Sequence, residues 1–148
     1  MTPEFDGFDQ GVADAFMDPE RFNTGLPAFL GVRVIAVSAG RMVASLEAKQ
    51  EFHNPFGSMH GGILAGLVDH VLGAVLYPVI PRGHWAATTE FKLNYLAPVR
   101  TGTVSAEATI ISMTKRTAVV RVEVTNDGRP VCSAQGTVLI QEPKPTAT

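Results

Sequence analysis

The hydrophobic pattern between Phe52 and Tyr77 is the strongest signal in the chain, a polar loop followed by an apolar segment. Apolar residues in that segment recur at i, i+1, i+4 and i+5, namely Ile63, Leu64, Leu67, Val68, Val71, Leu72, Val75 and Leu76. This spacing is typical of a helix and not of a strand. At about 100° per residue, these side chains cover a little over half of the circumference, which predicts a buried helix.

The remaining arc of this helix carries Gly62, Gly66, Asp69 and Gly73, within roughly 60° of each other. A glycine inside a helix costs about 1 kcal/mol relative to alanine, so a row of glycines indicates that another backbone or a ligand approaches closely. Asp69 lies in this row and needs a partner, a hydrogen bond or a polar cavity. It is either a structural residue that caps a loop or pairs with an arginine, or a catalytic carboxylate. We favour the second interpretation.

The residues that lead into the helix are Asn54, Ser58, His60, Gly61 and Gly62. The first amides of a helix have no intrahelical partner and carry the positive end of its dipole. The glycines leave these amides open to a substrate carbonyl, as an oxyanion-type site requires. The alternative is an ordinary glycine-rich helix start that is capped by Ser58 or Asn54.

The distance between Asp69 and the helix start limits what one chain can do. Asp69 follows Gly61 by eight residues, about 12 Å along the axis at 1.5 Å per residue. The two features of one chain therefore cannot easily meet on the same carbonyl. Two antiparallel copies that pack through the glycine row around a two-fold axis would bring them together. The spacing thus predicts a symmetric dimer with two composite sites.

Before and after the helix, apolar residues alternate with a period of two, which is typical of strands with one buried face. We predict a hairpin over residues 32–48 that turns at Ser38-Ala39-Gly40, and further strands near 86–96, 103–112, 117–125 and 130–140. The third strand has Phe91, Leu93 and Tyr95 on its apolar face, and Asn126-Asp127-Gly128 is a strong turn signal. Two strands, one helix and four more strands in a meander predict an α+β fold whose sheet curls round the helix.

The length of 148 residues suits one domain with one core, and 45% hydrophobic with 18% charged residues indicates a globular protein. We divide the chain into an N-terminal arm (1–30), a single domain (31–141) and a disordered tail (142–148). A short helix is expected from Asp9 to Met17, ending before Pro19. The phenylalanines of the arm are expected to pack across the domain or to line the mouth of a pocket; they are Phe5, Phe8, Phe16, Phe22 and Phe29.

Several classes of function are disfavoured by composition. A net charge of −2 argues against nucleic-acid binding, and Asp69-His70 and several glycines interrupt the apolar run that a membrane span requires. The N-terminus lacks the basic start and apolar core of a secretory signal, and a lone cysteine, Cys132, fits the cytoplasm. Cys132 lies in an alternating strand and is interpreted as a packing residue. With Cys132, the four histidines (His53, His60, His70 and His84) form no ligand set, so we expect no metal and no cofactor.

The element order, the segment from Asn54 to Gly62 and the following Asp69 together resemble the hotdog-fold acyl-CoA thioesterases. The most similar subgroup is the PaaI-like enzymes of the 4-hydroxybenzoyl-CoA thioesterase superfamily. Two shorter segments, residues 94–98 with Gly102 and the Lys115-Arg116 turn, also resemble this family. The resemblance spans about residues 31–140. It implies a curved antiparallel sheet of about six strands around one long helix, hydrolysis of acyl- or aryl-CoA to the free acid and coenzyme A, and a cytoplasmic homodimer that assembles further into a homotetramer.

The resemblance also implies roles for residues around the helix start. The Gly62 amide, with Gly61 beside it, polarises the thioester carbonyl, and Asn54 and His60 shape that corner. For His60, the alternative is a core histidine that orders the loop. Asp69 of the facing subunit acts as general base on water or as nucleophile.

Thr88, a hydroxyl residue at the start of the third strand, would help to hold the water. Strict alternation places Thr88 opposite Phe91, so this role needs a bulge or an interface, and Thr89 is the alternative. Candidates for binding the phosphates of coenzyme A are the cations Lys115, Arg116 and Arg100; the alternative is that they are solvated surface residues.

Two other functions remain open on the same fold. One is a non-catalytic acyl-CoA sensor or assembly subunit, which has no need of Asp69. The other is an enoyl-CoA hydratase-type enzyme, whose pattern His53-Asn54-Pro55 matches only in part. The acyl group is not determined by the sequence. Phe56, Met59, Leu76 and Trp85 are candidates for lining its tunnel, together with the phenylalanines of the arm.

Overall fold

Six antiparallel strands pack against one long apolar helix in the part of the chain that this computed structural model describes, residues 3–21 and 24–143. The elements are α1 Gln10–Met17, α2 Gly25–Leu30, β1 Arg33–Ser38, β2 Arg41–Glu47, a 3₁₀ turn Gln50–Phe52, α3 Gly61–Ala74, β3 Trp85–Tyr95, β4 Thr103–Met113, β5 Thr117–Asn126 and β6 Arg129–Gln141. The strand order is β1-β2-β4-β5-β6-β3. The expected α+β architecture is confirmed, but the expected meander of the last four strands is wrong. Only β4, β5 and β6 form one; β3 pairs with β6 at the far edge and β4 pairs with β2, because α3 carries the chain across the sheet.

Helix α3 is buried along the arc that its periodicity predicts. Leu67, Val68, Val71 and Leu72 have no exposed surface, and Leu64 is 3% exposed. The sheet supplies the other half of the core through alternating residues of its central strands, Met42, Ala44 and Leu46 of β2, Val104, Ala106, Ala108 and Ile110 of β4, and Ala118, Val120, Val122 and Val124 of β5. Burial of these two apolar faces against each other is the main stabilising contribution to this fold.

The N-terminal arm packs across the domain as expected. Helix α1 follows the predicted range, and its N-cap Asp9 accepts a hydrogen bond from the Val12 amide at 3.1 Å. Asp9 also forms two hydrogen bonds with Arg82, at 2.6 and 3.1 Å, which attach the arm to the segment that follows α3. The ring of Phe5 lies against Gly40 in the β1–β2 turn, whose φ of +71° favours glycine.

One short helix before the sheet was not expected from the sequence, and some residues named in the expectations lie outside the described ranges. Helix α2 is not predicted by the hydrophobic pattern, because six residues are too few to show a helical period. Its Leu30 is buried, and Leu30 and Leu26 lie within van der Waals distance of a Cβ built on Gly66. Phe22 and most of the predicted tail (144–148) fall outside the described residues.

Strand β3 forms one edge of the sheet. It is 11 residues long and pairs with β6 on one side only, whereas β4, β5 and β6 each have two neighbours. It also packs against α3. Because an unpaired edge strand presents a row of free N–H and C=O groups, β3 is the natural place for a second chain to add to the sheet.

Candidate active site

The loop before α3 is closed by Asn54. The Asn54 Oδ1 accepts hydrogen bonds from the amides of Phe56 (2.9 Å) and Ser58 (3.4 Å), and its Nδ2 donates to Ser58 Oγ at 3.2 Å. The Asn54 amide also donates to the Ser58 carbonyl at 2.7 Å. Asn54 therefore shapes the approach to the helix through its own loop, and it does not cap α3.

The N-cap of α3 is His60, so the alternative of a helix start capped by Ser58 or Asn54 is wrong. His60 has extended backbone angles (φ −61°, ψ 131°), and its Nδ1 accepts a hydrogen bond from the Gly62 amide at 2.9 Å. The expectation that the Gly62 amide is open is therefore also wrong in this conformation. The Ile63 amide donates to the His60 carbonyl at 2.9 Å. Within residues 3–21 and 24–143, the Gly61 amide has no acceptor, which makes it the free donor of the helix start.

Tyr95, at the end of β3, lies across this helix start. Its hydroxyl donates a hydrogen bond to the Gly61 carbonyl at 2.8 Å. A Cβ on Gly61 would lie 2.7 Å from Cζ of the ring, so any side chain at Gly61 must displace the ring. The sequence pattern places Tyr95 on the apolar face of its strand but gives no sign of this contact, because the two residues are 34 positions apart.

Asp69 is exposed in the single chain and lies on the outer side of α3. It lines a groove of about 610 Å³ between α3 and β3, together with Phe16, His70, Gly73, Ala74, Tyr77, Ala86, Thr88, Thr89, Glu90 and Phe91. The carboxylate thus faces a cavity with a mixed polar and aromatic lining. A polar cavity is one of the environments in which a helix tolerates such a group.

A β-bulge in β3 brings Thr88 to the same groove. Thr88 pairs with Val138, but Glu90 pairs with the adjacent Thr137, so Thr89 is the extra residue. Because directly paired residues share a face of the sheet, the bulge places Thr88 on the face of Phe91. The bulge that the role of Thr88 requires is present. The alternative, Thr89, already donates its hydroxyl to the Thr137 carbonyl at 3.0 Å.

His70 is a further titratable group beside Asp69, and the sequence did not single it out. Burial lowers the pKa of its imidazole, and the nearby Asp69 carboxylate offsets part of that effect. Burial disfavours the charged form of a histidine, so His70 is neutral at neutral pH.

The three cations predicted to bind phosphate do not form one cluster in a single chain. Arg100 lies beside the loop before α3, where His53 Nε2 is 2.8 Å from the Arg100 carbonyl oxygen. Lys115 and Arg116 form the turn at the far end of β4. Strand β4 runs from Thr103 to Met113, so at about 3.3 Å per residue the two groups are about 30 Å apart. Lys115 lines a second cavity of about 1020 Å³ under the N-terminal arm.

The residues proposed for an acyl tunnel are only partly placed around the groove. Met59 and Leu76 belong to the core, with 5% and 0% exposure, so they do not line it; Phe56 is 89% exposed. Phe16 of the arm does line the groove. Cys132 is buried, and burial raises its pKa to about 11, so the interpretation as a packing residue is confirmed.

Metal binding and membrane insertion are two further possibilities for the described ranges, 3–21 and 24–143. No group of three or more His, Cys, Asp or Glu side chains in these ranges is placed to hold a metal ion. No helix in them has both the length and the apolar character that crossing a membrane requires.

Both the sequence and the fold of this chain are similar to those of known proteins. The model of a family described as the thioesterase superfamily matches residues 56–133. A 1,4-dihydroxy-2-naphthoyl-CoA hydrolase from Listeria monocytogenes is 28% identical over 80% of this chain and 97% of its own length. A variant of the phenylacetic acid degradation protein PaaI from Thermus thermophilus is 29% identical, with a TM-score of 0.70 over 76% of this chain and 96% of that one. A thioesterase from Haemophilus influenzae, 21% identical, shares the fold, with a TM-score of 0.79 over 84% of this chain and 88% of its own.

Proposed function

Because the chain belongs to the thioesterase superfamily and is a thioester hydrolase of the hotdog fold, we propose that it hydrolyses acyl-CoA thioesters, aryl-CoA in particular. The products are the free acid and coenzyme A. The observation that carries this proposal is the groove in which the exposed Asp69 meets Thr88, on the uncovered side of α3. A non-catalytic acyl-CoA-binding protein needs no carboxylate there.

The chemistry begins with a water molecule that Thr88 holds beside Asp69. Asp69 acts as general base and takes one proton from the water, whose oxygen attacks the thioester carbonyl carbon. The carbonyl oxygen becomes an oxyanion, which an amide at a helix start stabilises. Collapse of this intermediate breaks the C–S bond and releases coenzyme A, and the thiolate recovers a proton. In the alternative route, Asp69 itself attacks and forms an anhydride that water then hydrolyses.

The amide donor in this proposal comes from a second subunit. The free Gly61 amide is about 12 Å along α3 from Asp69 of its own chain, too far for both to reach one carbonyl. In a two-fold dimer built on the free edge of β3, the exposed faces of two α3 helices lie against each other. The surface at Gly73 leaves room for the second helix, since a Cβ built there meets no atom within 4 Å. The Gly62 amide joins the donor only when His60 releases it. Assembly into a tetramer stays a prediction.

The lining of the groove supports an aromatic acyl group. Phe16, Tyr77 and Phe91 contribute three aromatic rings around Asp69, and the Phe16 and Tyr77 ring centroids are 5.9 Å apart. Aromatic walls pack well against a flat ring. Of the three cations, Arg100 is the one on the side of the helix start. It is therefore our first choice for the phosphates, and Lys115 and Arg116 contribute only if a partner subunit brings them near.

The experiment measures thiol release from a panel of aryl-, short-, medium- and long-chain acyl-CoA substrates. We expect the wild-type chain to prefer aryl-CoA. Asp69→Asn is expected to lower kcat by about 10²–10⁴-fold, the usual contribution of a positioned acid–base group. Asp14→Asn, an exposed acid of α1 whose hydrogen bond from Gln10 an asparagine can keep, serves as control and should retain full activity.

Different outcomes contradict different parts of this proposal. A folded Asp69→Asn variant with unchanged turnover removes Asp69 from the mechanism. A wild-type chain that binds acyl-CoA in calorimetry but releases no thiol from any substrate is a binding protein. Preference for long-chain over aryl substrates overturns the assignment of the acyl group alone.

A further inference from the structure

Tyr95 contacts Gly61 in two ways. Its hydroxyl donates to the Gly61 carbonyl at 2.8 Å, and its ring covers the Gly61 Cα so closely that a Cβ would lie 2.7 Å from Cζ and 2.8 Å from the hydroxyl oxygen. Gly61 does not have a positive φ, so its backbone does not require glycine. Any side chain at this position must therefore displace the ring of Tyr95, which is 56% exposed in the single chain.

The residue held by Tyr95 is the one whose amide is free. The Gly61 carbonyl oxygen accepts from the phenol, while the Gly61 amide has no acceptor among residues 3–21 and 24–143. On the C-terminal side, the next amide, of Gly62, is held by His60 Nδ1 at 2.9 Å. Tyr95 and His60 thus hold the two ends of the Gly61–Gly62 peptide group. The Gly61 amide itself belongs to the preceding His60–Gly61 group, whose carbonyl oxygen accepts from the Ile63 amide at 2.9 Å. Because both peptide groups are held and the Tyr95 ring covers the Cα between them, the Gly61 amide can change direction only if the Ile63 bond breaks or Gly61 moves against the ring.

We propose that Tyr95 is a positioning residue of the thioesterase reaction, which holds the Gly61 Cα and carbonyl in place so that the neighbouring Gly61 amide meets the developing oxyanion. This proposal rests on the function proposed above. An oxyanion donor is effective only when it lies about 2.7–3.1 Å from the position of the oxyanion, and displacement by about 1 Å can lower the rate 10²-fold. A hydrogen bond and a ring against the same glycine provide this restraint from a different strand.

The state of the phenol is compatible with this role. Loss of water around the hydroxyl, and to a smaller extent the proximity of Cys132, raise the pKa of Tyr95. The hydroxyl therefore keeps its proton, and remains a donor to the Gly61 carbonyl, throughout the neutral range.

The first test separates kcat from KM. Tyr95→Phe keeps the ring and removes only the hydroxyl, so we expect kcat to fall about 3–10-fold while KM changes less than about two-fold. Thr103→Val removes another hydroxyl donor, which binds Glu47 at 2.7 Å away from the helix start, and should leave kcat unchanged. Unchanged kcat in a folded Tyr95→Phe variant overturns the role of the hydroxyl.

The second test is a double-mutant cycle of Gly61→Ala and Tyr95→Ala, read in both kcat and Tm. In the presence of Tyr95, the added Cβ must displace the ring, and we expect Gly61→Ala to lower kcat by about 10-fold or more. In the Tyr95→Ala background, the same change should lower kcat by less than about two-fold, because alanine is well tolerated in a helix.

The outcomes of the cycle separate this proposal from the proposed function. If Gly61→Ala lowers kcat equally with and without Tyr95, or if the two sites couple in Tm but not in kcat, the positioning role is refuted while the hydrolase assignment stands. If the wild-type chain releases no thiol from any acyl-CoA, the proposed function fails, and the positioning role fails with it.

Discussion

Subunit mixing tests whether the reaction centre is shared between two chains. One parent variant is Asp69→Asn, which disables the acid and leaves the helix start intact. The other is Gly61→Pro, which removes the amide hydrogen at the first position of α3. Proline suits that position, and the extended backbone of His60 (φ −61°, ψ 131°) is compatible with a following proline. The Cβ of the proline also displaces Tyr95, so the helix start is disabled in two ways.

The expected recovery follows from the two-fold arrangement. Random pairing of equal amounts gives about half mixed dimers, and a symmetric dimer has two composite sites. In a mixed dimer, one site combines the intact Asp69 of one chain with the intact Gly61 of the other, and the second site carries both defects. About one quarter of all sites are therefore active. The mixture should regain about 25% of wild-type activity, although each parent alone has almost none.

The assay is thiol release from the co-expressed mixture of the two variants, which carry different tags. Mixed dimers purified through both tags should reach about 50%, because one of their two sites is active. Asp69→Asn mixed with Thr88→Val is the matched control, because both residues lie in the groove of the same chain. In that pair, every site contains one defect, so the mixture should not exceed the mean of its parents. Activity of the Asp69→Asn and Gly61→Pro mixture that stays at the level of the parents refutes a composite site.

Two further predictions concern stability. Leu72→Ala, at a fully buried position of α3, should lower the free energy of unfolding by about 2–5 kcal/mol, measured by urea titration with an unchanged m-value. The second follows from the lowered pKa of Asp9, caused first by its hydrogen bond with Arg82 and then by the Val12 amide. A carboxyl group whose pKa is lower in the folded than in the unfolded protein stabilises the fold when the pH is above its pKa in the unfolded protein. This stabilisation is lost as the pH falls through its pKa in the folded protein. Asp9→Asn should therefore have a lower Tm than wild type at pH 7, and this difference should shrink as the pH falls through the lowered pKa of Asp9 in the folded protein. A difference in Tm that does not change with pH contradicts this linkage.

The elements with long, regular patterns were predictable. Helix α3 and strands β3 to β6 lie within one to three residues of the ranges that the alternation predicts. In each case ten or more residues repeat one period, so that errors at single positions do not matter. Helix α2 was not predictable on this basis, because its six residues, with Gly25 and Pro27 among them, complete less than two turns.

The candidate site was predictable as a set of residues but not as an arrangement. The glycines, Asp69 and the helix period together indicated where reactive groups lie. The sequence did not indicate His60 as the cap, because serine and asparagine are the common N-caps and Ser58 and Asn54 were the candidates for that alternative. The sequence indicated that Thr88 can take its role only if the strand contains a bulge, but it did not show where that bulge lies. The position of a bulge depends on how β3 pairs with β6.

By itself, the sequence determined the α+β class, the buried helix and the row of glycines with one carboxylate, and it led to the prediction of a second chain. These follow from local periodicity and from the fixed rise of a helix, which need no knowledge of distant contacts. The tertiary structure alone decided that His60 holds the Gly62 amide, that Tyr95 holds Gly61, and that a bulge brings Thr88 to the groove that Asp69 lines. These contacts depend on hydrogen bonds and on strand register between segments that meet only when the sheet closes on the helix.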